Sequence, residues 1–276
     1  MLIHTITGGG GLHLAVHEYG QPHGKPILLL HGFSMCHLAW SKQYHSRLAD
    51  EFRLVCLDNR GHGMSEKPLA REHYTQGERW AEDVQAVITA LSLHKPILVG
   101  WSYGGLIIND YLAQYGQDRI GGINYVCAAV LWGVEKAANT LGRGFTDAIA
   151  GLCSDNLKDN IRALRPFLRG LFERPPTQDE FEGLVAFSMV VPPAVRLGLV
   201  SRTLDRDTVM QALTVPVLMT QGGKDGVVLA SHTAHLLSCI PQVQVSVYAG
   251  VGHAPPLEAP ERFNQELAAF ARQHAG

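Results

Sequence analysis

A mostly parallel central sheet flanked by helices, an α/β fold carrying an inserted helical cap, is the architecture this sequence predicts, and three observations predict it. Short apolar, β-branched runs alternate with longer amphipathic stretches through most of the 276 residues, the pattern of strands joined by crossover helices. Several runs, such as PILLL at 26–30, are apolar at every position, as strands covered on both faces must be. The alternation then stops over residues 134–207, where helical patterns continue without a strand.

In chain order, residues 2–19 read as an antiparallel hairpin at the sheet edge, with the glycines of 8–11 in its middle. Strands follow at 26–30 (PILLL), 53–57 (RLVCL), 96–100 (PILVG), 123–130 (INYVCAAV), 215–220 (VPVLMT) and 243–248 (VQVSVY). Between them, 77–91 places Trp80, Val84, Val87, Ile88 and Leu91 at helical spacing, and 106–115 and 262–271 behave similarly. Within 134–207 the pattern at 161–172 is helical, and Pro175, Pro176, Pro192 and Pro193 punctuate what surrounds it. The division expected is a core of 1–133 and 208–276 and a cap of 134–207.

Composition narrows the function classes. With 23 Lys and Arg against 25 Asp and Glu the net charge is −2, which offers no electrostatic grip on nucleic acid. Hydrophobic residues at 46% supply a sizeable core. No apolar run approaches the roughly 20 residues of a membrane span, and residues 1–7 lack a charged segment leading into an apolar one. A soluble, cytoplasmic chain is expected. The five cysteines, at 36, 56, 127, 153 and 239, form no close pairs and read as buried or half-buried free thiols. His232 and His235 sit at i, i+3 without a third ligand nearby, so neither a metal nor a cofactor is expected.

The sharpest local signal is Gly100-Trp101-Ser102-Tyr103-Gly104, placed between an apolar strand and an amphipathic helix. This is a nucleophile elbow in its required context, with Ser102 projecting above the sheet and a helix N-terminus aimed at the site. A serine hydroxyl needs a base, and the base needs an orienting carboxylate. Asp225 follows the strand at 215–220 and His253 the strand at 243–248, both at the strand ends where open α/β sheets place ligands. Glu135 is the fallback acid. Phe33, after the strand at 26–30, can pair its N–H with that of Tyr103 as an oxyanion hole, while His31 reads as a buried structural residue. Trp101, Phe145, Phe187 and Met189 are the expected substrate-binding side chains, because pockets favour joins between structural units.

With these pieces assembled, the chain resembles the α/β hydrolase superfamily, in its capped esterase, lactonase and non-haem haloperoxidase branch. The matching motifs are HGF at 31–33, DNRGHGMS at 58–65, GWSYGG at 100–105, GGKD at 222–225 and GVGHAPPLEAPERF at 250–263. The resemblance implies a structural turn at 58–65, with no catalytic role for Asp58, Arg60 or His62. Dehalogenases and epoxide hydrolases of the superfamily carry aspartate where this chain has Ser102, and the cap has no tyrosine for an epoxide. Ester-type acyl transfer on a small-molecule ester or lactone is therefore expected, N-acyl homoserine lactones included. A perhydrolase, a carbon–carbon bond hydrolase and a small-molecule receptor on the same fold are the alternatives.

Overall fold

The computed structural model describes residues 1–240 and 242–276. At its centre is an eight-stranded sheet in the order β1-β2-β4-β3-β5-β6-β7-β8. The strands are β1 (Leu2–Thr7), β2 (His13–Gly20), β3 (Pro26–Leu30), β4 (Arg53–Leu57), β5 (Ile97–Trp101), β6 (Gly122–Val126), β7 (Val217–Gly222) and β8 (Val243–Tyr248). The hairpin β1–β2 is antiparallel and joins β4 antiparallel, and all pairings from β4 through β8 are parallel. The expected mostly parallel sheet is what forms. β3, β5 and β6 are buried at every position, as strands covered on both faces must be.

One strand is shorter than its apolar run. INYVCAAV continues apolar to residue 130, yet β6 ends at Val126 and Cys127 turns the chain with φ 43. The remainder stays buried because it wraps the elbow: Ser102 N donates to Val126 O at 2.9 Å, and Ala129 N to Ser102 O at 3.0 Å. Burial without strand pairing produces the same sequence pattern as a strand.

Helices α1 (Gly77–Ala90) and α2 (Gly104–Tyr115) pack on one another, with Trp80, Val84, Val87 and Ile88 on the buried side of α1. After β6 come α3 (Leu157–Arg169), α4 (Gln178–Met189) and α5 (Pro193–Val200), then α6 (Ala230–Cys239) and α7 (Pro260–His274) in the core. Asn156 caps α3, and Thr177 and Glu180 form a capping box on α4. Proline opens α5 at a position where no backbone donor is lost. Residues 134–207 add no strand to the sheet. Their entry and exit run side by side, bridged at Trp132 and Leu204. Among the described residues no single helix is long and apolar enough to cross a membrane. Four cysteines are buried and Cys153 is half-buried, all free thiols.

Candidate active site

Ser102 sits at φ 56, a left-handed conformation that side chains adopt only under constraint. The glycines around it explain how the chain can turn there. A Cβ on Gly104 would lie 2.5 Å from Leu30 O, and one on Gly100 would lie 2.8 Å from backbone of Gly104. Neither position has room for a side chain, so β5 can pass directly into α2 with Ser102 at the corner. The N-terminus of α2 then points its partial positive charge at the same corner.

Asp225 and His253 come from the loops after the neighbouring parallel strands β7 and β8. His253 Nδ1 and Asp225 Oδ2 are 2.9 Å apart, and both side chains are 1% exposed. Asp225 Oδ1 accepts from Val227 N at 2.8 Å and Val228 N at 3.0 Å, and Oδ2 also accepts from Gln221 Nε2 at 3.1 Å. Burial alone would raise this carboxyl's pKa, but His253 and the two backbone donors hold it below the usual range. An ionised Asp225 fixes the proton of His253 on Nδ1 and leaves Nε2 as the basic nitrogen. The imidazole's backbone is clamped from both sides, its N–H to Leu171 O at 2.7 Å and its carbonyl to Trp101 Nε1 at 2.8 Å. Through Trp101 the pair is tied to the residue preceding Ser102.

Cys127 shares this neighbourhood, its sulfur lying within 4.8 Å of the facing atoms of Asp225 and His253. Burial, reinforced by Asp225, pushes its thiol well above the ordinary range. It stays a neutral thiol, a poor nucleophile.

Phe33 and Tyr103, expected to supply an oxyanion hole, lie beside Ser102. A Cβ on Gly32 would lie 3.0 Å from Ser102 Cβ, so the loop after β3 passes directly against Ser102. Among the described residues, neither the Phe33 nor the Tyr103 N–H donates to a backbone carbonyl. These are two donors beside the serine that regular structure does not consume.

Above them lies a cavity of about 20 Å³, lined by Phe33, Ser102, Tyr103, Ala129, Trp132, Leu141, Phe145, Phe167, Val227 and Val228. That volume holds about one water. Its aromatic wall is interlocked: Phe33 meets Phe145 and Phe167 edge-on at 5.5 and 6.3 Å, and Trp132 meets Phe145 at 5.8 Å. No lysine or arginine is among the lining residues. Larger hollows, of about 820 and 590 Å³, contain none of Ser102, Asp225 and His253.

Of the expected substrate-binding side chains, Phe145 lines the cavity. Trp101 does not: it is fully buried beneath the elbow, packed on Trp40 at 5.6 Å. Phe187 lines the separate 590 Å³ groove, and Met189, half-buried at the end of α4, lines neither. Sequence reasoning left out Trp132, Leu141, Val227 and Val228. The last two were within reach, since they continue the loop that carries Asp225.

The turn at 58–65 is packed into the core. Asp58 accepts from His37 N at 2.7 Å and Met64 N at 2.8 Å, and meets the stacked rings of His17 and His37. Arg60 pairs with Asp83 of α1 at 2.6 Å. His31 is fully buried, its Nε2 accepting from Asn59 N at 3.0 Å. His232 is consumed as an acceptor for Val130 N at 2.7 Å, while His235 meets Asp207 at 2.8 Å. Glu135 is exposed.

Comparison with known proteins agrees with this fold. A family model described as alpha/beta hydrolase fold matches residues 25–260. An esterase of known structure from Rhodococcus sp. is 33% identical and superposes over the full length of both chains with a TM-score of 0.94. The dihydrolipoyllysine-residue acetyltransferase component of an acetoin cleaving system from Pseudomonas putida is 30% identical over 96% of this chain and 68% of its own. A non-heme haloperoxidase from Rhodococcus erythropolis is 24% identical over 96% of this chain and 98% of its own.

Proposed function

The chain belongs to the α/β hydrolase fold family, and from that premise we propose that it is a serine hydrolase cleaving carboxylic esters or lactones through an acyl-enzyme. Ser102 attacks the carbonyl carbon while His253 takes the hydroxyl proton. Asp225 keeps the imidazole in the required tautomer and stabilises its cationic form. The Phe33 and Tyr103 N–H groups receive the oxygen as it becomes anionic. His253 then returns the proton to the leaving alcohol, and water, activated by the same imidazole, releases the acid. A lactone follows the same course, its alcohol remaining tethered to the acyl group.

The observation that carries this reading is the buried Asp225–His253 hydrogen bond at 2.9 Å, on the same sheet edge as a serine held at φ 56. The absence of a basic side chain among the cavity-lining residues favours a neutral acyl group over the carboxylate-bearing substrate of a carbon–carbon bond hydrolase.

The test compares wild type with Ser102→Ala and Asp225→Asn on p-nitrophenyl acetate, butyrate and octanoate, with an acyl homoserine lactone followed by pH-stat. Wild-type turnover that disappears in Ser102→Ala, and falls by roughly 10⁴ in Asp225→Asn, supports the reading. Turnover surviving in Ser102→Ala sinks it, and no turnover on any substrate moves the assignment to a carbon–carbon bond hydrolase or a ligand receptor. Acceleration by hydrogen peroxide would identify the perhydrolase alternative, which uses the same groups with a different acyl acceptor.

A further inference from the structure

Helix α5 touches both sides of the oxyanion-hole geometry, with different atoms. From its middle, Arg196, 1% exposed, donates Nε to the Ser34 hydroxyl at 2.8 Å. Ser34 follows Phe33 directly and sits at φ 58. The remaining guanidinium nitrogens donate to Leu152 O and Asn160 Oδ1, each at 3.0 Å, and to Ser188 O at 2.6 Å. One side chain thus gathers three cap segments onto the loop that carries the Phe33 N–H.

From the other end of α5, Leu199 O accepts the Tyr103 hydroxyl and Val200 O accepts Trp132 Nε1, both at 3.2 Å. These carbonyls are among the last four that a helix leaves without internal partners. Here side chains from the cavity wall donate to both, and Leu199 O also takes the Arg202 N–H at 3.5 Å. Arg202, just beyond α5, donates to the same Tyr103 hydroxyl at 3.3 Å and pairs with Asp110 of α2.

Arg196 meets only neutral acceptors among the described residues, and burial lowers its pKa to about 10. Burying a guanidinium without a carboxylate is costly, and an apolar side chain would fill the same space. What the guanidinium adds is direction, because its donors fix the relative placement of every acceptor they reach. The oxyanion hole needs such fixing: its two donors lie on separate loops, after β3 and after β5, and are effective only at a defined spacing.

We propose that α5 is the strut that sets this spacing, with Arg196 acting through Ser34, and Leu199 through the Tyr103 hydroxyl, as positioning contacts for the two N–H donors. The inference rests on the serine hydrolase reading. It makes α5 part of the catalytic apparatus although none of its side chains lines the cavity.

Ser34→Ala and Tyr103→Phe each delete one hydroxyl and keep both backbone donors. The experiment measures kcat and KM on p-nitrophenyl acetate, the inhibition constant of phenylboronic acid, which adds to a serine as a tetrahedral anion, and the urea midpoint. In both variants kcat falls about ten- to a hundredfold, phenylboronic acid weakens by a similar factor, and KM stays within about twofold. Arg196→Lys moves the same quantities in the same direction, and if it does not fold the two hydroxyl variants still decide. Wild-type kcat and boronate affinity in both, with Ser102→Ala inactive, overturn the strut alone, whatever the urea midpoint does. An active Ser102→Ala overturns the serine hydrolase reading and the strut with it.

Discussion

The indole N–H of Trp101 donates to the carbonyl of His253 at 2.8 Å, so the residue before Ser102 holds the backbone of His253. Trp101 is also packed on Trp40, which itself stacks on Phe263 of α7 at 6.4 Å. Trp101→Phe keeps most of the buried ring and removes the donor. It leaves a carbonyl unpaired at a cost of about 1–3 kcal/mol and frees the His253 loop on one side. The expected result is a fall in kcat of about tenfold with KM nearly unchanged, read from initial rates on p-nitrophenyl acetate. An unchanged kcat would show that the Leu171 contact suffices to hold His253.

The acyl pocket predicts chain-length selectivity. Room for about one water beside Ser102, behind aromatic rings locked edge to face, suits an acetyl group. Longer acyl chains require Phe145 or Phe167 to move against several partners. Acetate esters should therefore be turned over faster than octanoate esters. Phe145→Ala should raise the octanoate-to-acetate ratio of kcat/KM by about tenfold or more, since each methylene in an apolar pocket is worth ~1–3 kcal/mol. A wild type that prefers octanoate would place the acyl chain elsewhere, with the 590 Å³ groove lined by Phe187 the next place to look.

The core of this fold is legible because its central parallel strands are apolar on both faces, so PILLL and PILVG announce themselves without partners, whereas VQVSVY alternates and forms a partly exposed edge strand. Ser102, Asp225 and His253 stand out in the sequence because each lies beyond a strand, and the geometry joins Asp225 to His253. The pocket is less legible. Which cap side chains face Ser102 depends on how each helix is rotated against the core, and that is settled by packing: Phe145 and Phe187 look alike in sequence, yet only Phe145 lines the cavity. Trp101 misled for a related reason. It is the last residue of β5, and its side chain turns into the core beneath His253, whereas Tyr103 on the other side of Ser102 lines the cavity. The strut built on Arg196 lay outside sequence reasoning, since a buried arginine 162 positions from Ser34 has no local signature.

Acid should destabilise this protein through its buried histidines. His31, His62 and His232 are buried, and burial lowers their pKa values from 6.5 to about 4, 3 and 4. His31 and His232 each use Nε2 to accept a backbone N–H, which protonation abolishes. The folded values lie below the unfolded one, so the unfolded chain takes up these protons first as pH falls. Their contribution to stability is complete above about pH 6.5 and is lost as pH falls towards the folded values. The unfolding free energy, read from urea titrations, should drop steeply between about pH 6.5 and 4.5, by up to roughly 1.4 kcal/mol per pH unit for each histidine. His232→Gln, which keeps an acceptor for Val130, should flatten the slope by about one proton. A slope unchanged by that substitution would remove His232 from the account.

Glu258 joins the His253 loop to the cap, and this gives the last prediction. Its Oε1 accepts Gly252 N at 2.8 Å, while Oε2 accepts Glu173 N at 3.1 Å and Arg174 N at 3.0 Å. Arg174 in turn donates to the Glu258 carbonyl at 2.8 Å. A carboxylate suits this junction because both of its oxygens only accept, whereas an amide offers one accepting oxygen and an NH₂ that faces donors. Glu258→Gln should therefore resemble Glu258→Ala more than its shape suggests. Both should lower kcat by about tenfold, because a small displacement of the base is enough to slow proton transfer, and both should speed proteolysis within 171–177. Parallel changes in rate and proteolysis would show that the cap segment and the base are held by one carboxylate. Faster proteolysis at full kcat would confine Glu258 to the cap and leave His253 to its contacts with Leu171 and Trp101.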